Sequence, residues 1–304
     1  MEYEKFVNHL KNQLELDMYD QDITVERTMI NRLNQDRDVL VLRSPYSRIA
    51  PVVYLDDAYY CHRRGDSAVA ISRDIADSIR RTTPEIPDFS APETKDHLYC
   101  MVINAEDNAE WLSHSPHEQM QDMAVIAYYQ LDDHATIRVT DEMCPYLRMT
   151  GEEVLEHAHR NTNAQEYRLE SLEDVLDRMM PLDVMDVPTL EEKAYVLTNQ
   201  KRSFGAALIT NPEVLEYARE VIGEDYYIAP SSIHETILFP ESTFSDPKEL
   251  EDIIKIVNET TVRRDEQLSD HAYYYNSQEK KIEMAVKPEQ EKSEFQEQNN
   301  ERNR

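Results

Sequence analysis

Apolar residues recur along the chain at two spacings, and each spacing predicts an element. Phe6, Leu10 and Leu14 fall four apart and predict an amphipathic helix over Tyr3–Leu16. Val39–Leu42, Ile49–Tyr54 and Tyr59–His62 are short runs rich in β-branched and aromatic residues, which predict three strands. Ile71, Ile75 and Ile79 return to helical spacing and predict a helix over Ser67–Arg81. Helix, three-strand meander and helix make a small α+β unit over residues 1–81. Residues 82–96, TTPEIPDFSAPETKD, then carry Pro84, Pro87 and Pro92. Each proline removes a donor and restricts its predecessor, so this stretch predicts an exposed linker and a domain boundary.

A larger mixed unit is expected over residues 97–286. Strands are predicted at His97–Ile103, Met123–Leu131 and Ala135–Thr140, the last two as a hairpin turning at Asp132, Asp133 and His134. Glu106–Ser113 reads as helical. Thr150 and Glu153 stand at capping-box spacing ahead of Val154, Leu155 and Ala158, and Ser171–Met179 reads as a further short helix. Tyr195–Thr198 and Ala206–Ile209 read as strands around a turn. Asn211 and Pro212 open a helix that Gly223 closes, and Asp246 and Pro247 open another carrying Leu250, Ile253, Ile254 and Val257. Tyr226–Ala229 and Glu235–Phe239 are predicted strands, and Ala272–Tyr275 with Lys281–Val286 a closing hairpin. Helices and strand runs alternate without a period, which favours α+β with antiparallel hairpins over a doubly wound parallel sheet. Residues 287–304 are polar and read as a disordered tail.

Charge narrows the functions open to this fold. The chain carries 61 acidic against 32 basic residues, a formal charge of −29, which opposes direct binding to nucleic acid. Residues 101–200 hold 21 of the acids and 6 of the cations. That asymmetry, which includes the Glu152, Glu153, Glu156 cluster, fits solvated helix faces, or else an acidic surface that attracts a basic protein partner or imitates DNA. Three cysteines, Cys61, Cys100 and Cys144, form neither a disulfide framework nor a CxxC pair. The first residues lack an apolar signal region and no apolar run approaches a membrane span. A cytoplasmic protein without a membrane partner is expected.

Four glycines, Gly65, Gly151, Gly205 and Gly223, build no phosphate-binding loop, and neither GxSxG nor HExxH occurs. No cofactor or metal is therefore expected. His157 and His159 are two apart on a predicted helix and face different ways. His114 and His117 are interrupted by Pro116. Asp270 and His271 are adjacent on an extended segment and diverge, and Asn104, Asn108 and Asn161 read as caps. The remaining candidates are Ser231, Ser232, His234 and Glu235. A serine could act as nucleophile with His234 as its base. On an extended strand, however, His234 and Glu235 point to opposite faces, so the acid does not orient the base. The serines then satisfy backbone groups where Pro230 interrupts the strand. A structural turn and a site at the strand edge both remain open.

The stretch YVLTNQKRSFGAALITNPEVLEYAREVIGEDYYIAPSSIHETILFP, with LSDHAYYYNSQEKKI after it, resembles an uncharacterised bacterial family, domain of unknown function 5688. Its PSS-x-HE segment is also similar to one in domain of unknown function 1444. The matching residues are Thr198, Asn199, Gly205, Ala206, Leu215, Pro230, Ser231, Ser232, His234 and Glu235. Asn104, Asn108, Leu112, Pro116 and Asp122 match as well, as do Leu155, Ala158 and Asn161. The resemblance implies a bacterial protein, often carried on mobile elements, and implies no substrate, cofactor or reaction. Two classes follow: a non-enzymatic acidic interaction or accessory protein, or an enzyme of unrecognised type with its site at Ser231, Ser232 and His234.

Overall fold

The first helix forms where the four-residue spacing places it. In the computed structural model, which describes residues 1–46, 50–81, 87–132, 135–179 and 193–286, α1 (Tyr3–Asp17) buries Phe6, Val7, Leu10 and Leu14 on one face. The chain divides into two compact units, Met1–Pro87 and Asp88–Arg304.

In the first unit, β1 (Thr24–Arg32), β2 (Gln35–Arg43) and β3 (Val52–Tyr54) form an antiparallel sheet in that order. Two helices follow, α2 (Leu55–Arg63) and α3 (Ala68–Arg81). The unit is helix, three-strand meander and helices, but its strands are not all the expected ones. Tyr59–His62 lies on α2. Leu55 and Ala58 are its buried pair, Asp56 and Asp57 occupy its first turn, and His62 and Arg63 its last, where each charge suits the helix dipole. Its aromatics serve the core: Tyr59 meets Tyr3 edge-on at 5.0 Å and His62 stacks on Phe6 at 4.8 Å. The missing strand is β1, whose residues are mostly exposed apart from Val25 and so show no alternation. Its turn into β2 uses Asn34 at φ 60°.

The expected linker divides differently. Residues 82–86 lie outside the described residues. Residues 88–96 belong to the second unit, where Pro92–His97 forms a 3-10 turn with Thr94 buried. Thr94 Oγ1 donates to the Asp88 carbonyl at 3.2 Å. These contacts override the breaker signal of the prolines.

The second unit holds two antiparallel sheets. In the first, β4 (Leu98–Asn104), β5 (His117–Met120) and β7 (Thr136–Arg138) all pair with the central β6 (Met123–Gln130). Between β4 and β5 lies α4 (Ala109–Leu112), and after β7 come α5 (Cys144–Leu147) and α6 (Gly151–Asn163). The capping box at Thr150 and Glu153 is formed in both directions. Deep under α6, Thr162 Oγ1 accepts the Cys100 N–H at 2.8 Å.

The second sheet is built from β8 (Tyr167–Ser171), β9 (Tyr195–Asn199), β10 (Tyr226–Ser232), β11 (Glu235–Pro240), β12 (Tyr273–Asn276) and β13 (Lys281–Met284), in the order β13-β12-β10-β11-β9-β8. Three helices interleave: α7 (Leu172–Met179), α8 (Pro212–Ile222) and α9 (Pro247–Thr260). Asn211 caps α8 with Pro212 in its first turn, and Gly223 ends it in the left-handed conformation. Asp246 caps α9 in the same way. Ala206–Ile209 is not a strand; Gly205–Thr210 forms a fully buried 3-10 turn up to Ile209. A short, continuous apolar run reads alike as buried strand or buried turn, so periodicity could not separate them. The predicted tail at 287–304 lies outside the described residues. Among the described residues, no helix is long and apolar enough to cross a membrane.

Candidate functional site

The Ser231–Glu235 stretch forms the tip of the β10–β11 hairpin. The strand runs through Pro230 rather than stopping there, and its register shifts between Ala229 and Ser232. Ser232 then pairs with Glu235, leaving Ile233 and His234 as the turn. Three polar groups at the tip are engaged locally. Ser232 Oγ accepts the His234 N–H at 3.1 Å, the Ile233 N–H donates to the Glu266 carbonyl at 2.9 Å, and Thr198 Oγ1 donates to the His234 carbonyl at 2.8 Å.

The imidazole is held as firmly. Its Nδ1 accepts the Phe204 N–H at 3.2 Å, and the ring stacks on Phe204 at 5.5 Å between centroids. An accepting Nδ1 puts the proton of the neutral ring on Nε2. That nitrogen faces the Glu266 carboxylate at 3.9 Å, beyond hydrogen-bond reach. Burial lowers the His234 pKa and outweighs the opposing pull of Glu266, Glu235 and Asp265. The ring is therefore a neutral acceptor that positions a loop. Ser232 bonds the backbone of His234, not its ring, and Glu235 stands half-buried on the strand beside it. Ser231 is half-buried at the irregular register. The four candidates are adjacent, but they are not arranged as nucleophile, base and orienting acid.

What His234 positions is the loop after β9. Asn199 Oδ1 accepts the Ser203 N–H at 3.2 Å, and its Nδ2 donates to the Ser203 carbonyl at 2.7 Å and to Gln165 Oε1 at 3.2 Å. Two non-glycine residues of this loop are left-handed, Arg202 at φ 51° and Phe204 at φ 55°. Such conformations persist only where the surroundings over-determine them. Gly205 follows where no side chain fits: a Cβ would stand 2.5 Å from Thr198 Oγ1, 2.6 Å from the His234 carbonyl oxygen and 2.7 Å from the Asn199 nitrogen.

On the other side of Phe204 lies a cavity of about 420 Å³. It opens between the β6–β7 hairpin and the 199–205 loop, and is lined by Tyr128, Gln130, Thr136, Gln165, Ser203 and Phe204, with Asp132, Asn199 and Lys201 completing the wall. Tyr128 and Phe204 meet there at 4.9 Å. Burial raises the Tyr128 pKa, so its phenol stays a neutral donor. Sequence reasoning missed this cavity. Its residues come from β6, β7, the turn after α6, and the end of β9 with the loop that follows, and no local pattern joins them.

The remaining candidates fall elsewhere. His159 Nε2 meets Glu118 at 3.0 Å while His157 Nδ1 faces Arg160, so the two diverge as expected. His117 Nδ1 lies 2.9 Å from the Ser115 carbonyl. Among the described residues, no three metal-ligating side chains cluster. His271 turns to the buried Glu251 at 3.1 Å and Asp270 to Asn258 at 2.7 Å. Asn104 Oδ1 accepts the Asp107 N–H at 2.9 Å, a cap-like contact, and its amide donates to the Leu268 carbonyl at 2.8 Å. Asn161 is instead a tie, donating to the Lys95 and Leu98 carbonyls at 2.7 and 2.8 Å. Asp122 accepts from Ser269 Oγ at 2.6 Å and from the Tyr273 hydroxyl. Burial pushes the Cys100 thiol up to about 12, which makes it a poor nucleophile.

The chain belongs to a family of unknown function (DUF5688), whose model matches residues 3–277. The match spans both compact units and stops inside the turn that follows β12. No curated protein and no solved structure matches the chain.

Proposed function

We propose that this chain is a non-enzymatic interaction protein, an accessory factor of the bacterial cytoplasm, and that its second unit recognises a basic protein partner. The supporting observation is uncompensated negative charge. Residues 101–200 carry 21 acids against 6 cations, and three of those cations are already committed. Arg160 pairs with Glu156 at 2.8 Å, Arg178 with Glu170 at 2.8 Å, and Arg138 lies over the Trp111 ring at 4.3 Å. The surplus is not centred on Glu152, Glu153 and Glu156, since Glu153 closes the capping box and Glu156 holds Arg160. Exposed acids of the segment for which no ion pair is shown include Glu173 and Asp177 on α7 and Glu152 at the start of α6.

The test is titration of the intact chain with a lysine-rich peptide across a salt series. Charges beyond a screening length of about 8 Å at 0.15 M salt contribute little, so a clustered patch resists salt better than a dispersed one. Glu152→Gln, Glu173→Gln and Asp177→Asn together should slow association and weaken binding. Glu249→Gln, Asp252→Asn and Glu259→Gln, exposed on α9, should leave it unchanged. Equal effects from the two sets, or none from the first, would refute the reading.

A further inference from the structure

Strand β8 ends the six-stranded sheet, and among the described residues no strand pairs with its outer edge. Its pairing with β9 fixes which backbone groups face outward. Tyr167 stands against Asn199 and Ser171 against Tyr195. The Gln200 N–H donates to the Glu166 carbonyl at 3.0 Å, and the Leu172 N–H to the Ala194 carbonyl at 2.8 Å. The even-numbered residues therefore bond to β9. By the alternation of an antiparallel ladder, Tyr167, Leu169 and Ser171 turn their N–H groups outward, and Tyr167 and Leu169 their carbonyls as well. Such an edge is a template for another strand. Apolar surface lies beside it: the Tyr167 ring meets Tyr217 of α8 edge-on at 5.7 Å, yet the two stand 37% and 44% exposed.

The charges on the strand select its occupant. Arg168 and Glu170 point to the face opposite Tyr167 and Leu169. There Arg168 donates to Gln200 Oε1 at 3.0 Å, and Glu170 holds Arg178 at 2.8 Å and Arg202 at 3.3 Å. A second β8 running antiparallel can bring its outward groups to these over most of the strand in three registers. Centred on Arg168, the pairing sets Arg168 against Arg168; centred on Glu170, it sets Glu170 against Glu170. Like charges directly opposite are destabilising. Centred on Leu169, it sets Arg168 against Glu170 on both sides of the axis and spans the whole strand. Leu169 then exchanges two backbone bonds with its copy, and each Ser171 N–H reaches the Tyr167 carbonyl of the other chain. We propose that two copies of this chain join antiparallel through β8, about a two-fold axis at Leu169, so that their six-stranded sheets become one. The formal charge of −29 opposes self-association, but at 0.15 M salt charges beyond about 8 Å are screened, which leaves the edge itself to decide.

The experiment is sedimentation velocity on the intact chain from low-micromolar to millimolar concentration, where a reversible dimer is expected. Arg168→Glu sets like charges against each other in both pairs and should weaken the dimer at least about tenfold, as should Glu170→Arg. A one-to-one mixture of the two variants restores both opposite-charge pairs and should dimerise again, an outcome that a merely damaged fold does not give. Leu169 supplies a reading that does not depend on the charge variants folding. Leu169→Pro removes an N–H that β9 does not use, a change an edge strand accepts, and should give a folded monomer. Leu169→Ala loses the same side chain but keeps the N–H, and should still dimerise. The proposal is overturned if the parent stays monomeric throughout, if the charge variants or Leu169→Pro dimerise as the parent does, or if the mixture of folded charge variants stays monomeric.

Discussion

Gly205→Ala should be strongly destabilising where the loop after β9 packs against the β10–β11 tip. The added methyl would stand 2.5 Å from Thr198 Oγ1, 2.6 Å from the His234 carbonyl oxygen and 2.7 Å from the Asn199 nitrogen. Two of these atoms are backbone, so no rotamer change relieves the contact. Relief requires β9 and the hairpin tip to separate by several tenths of an ångström. That movement loosens the Thr198–His234 bond at 2.8 Å and the Phe204–His234 bond at 3.2 Å. Overpacking typically costs about 1–3 kcal/mol, and each weakened hydrogen bond adds up to about 1 kcal/mol. A total of about 3 kcal/mol follows, which for a unit of this size lowers Tm by about 6–12 °C. Scanning calorimetry on the intact chain reads it directly, with Ser203→Ala as the neighbouring control expected to melt close to the parent. A Gly205→Ala protein melting within about a degree of the parent would refute the claim that this contact holds the loop.

Thr236 is fully buried on β11 with an unpartnered Oγ1, so Thr236→Val, which keeps the shape and removes the orphaned hydroxyl, should raise the urea midpoint by about 1 kcal/mol of stability; a fall would mean the hydroxyl is satisfied in solution. His234 has its pKa lowered below 6.5 by burial, so the unfolded chain binds the proton more readily than the folded one. This contribution is fully present above about pH 6.5 and is lost as pH falls toward the folded value; urea midpoints of the parent between about pH 5 and 8 should fall on acidification, and His234→Gln should flatten that fall. Thr150→Ala removes both halves of the capping box on α6 and should cost about 1 kcal/mol, seen as a Tm drop of about 2–4 °C; no drop would show the cap to be idle.

Much of the fold was legible because its signals are local. Helix starts at Thr150, Asn211 and Asp246 depend on one side chain reaching an N–H two or three residues away, and all three form as written. The 226–240 and 272–284 hairpins follow from short apolar runs separated by turn residues. Where reading failed, the deciding contact was distant. Tyr59 and His62 have strand-forming neighbours, yet they lie on a helix because Tyr3 and Phe6 of α1 take their rings. Strands β1, β5 and β8 carry few buried residues and were missed, since an edge strand shows its pairing in the backbone and not in its side chains. At the candidate site, alternation assumed that His234 and Glu235 lie on one strand, whereas Ile233 and His234 form the turn between Ser232 and Glu235. It could not show that the ring would accept a backbone N–H from Phe204, a residue 30 positions away.

By itself, then, the amino-acid order determined the α+β class, the capped helices, the antiparallel hairpins and the charge surplus, because propensity, capping and periodicity act within a few residues. The family resemblance was also carried by the sequence, and the family match over residues 3–277 agrees with it. Only the tertiary structure decided what the histidine does and where a cavity opens. Both depend on bringing β6, β9, α6 and the β10–β11 tip to one place, and that convergence is set by the summed burial of two sheets rather than by any pattern along the chain.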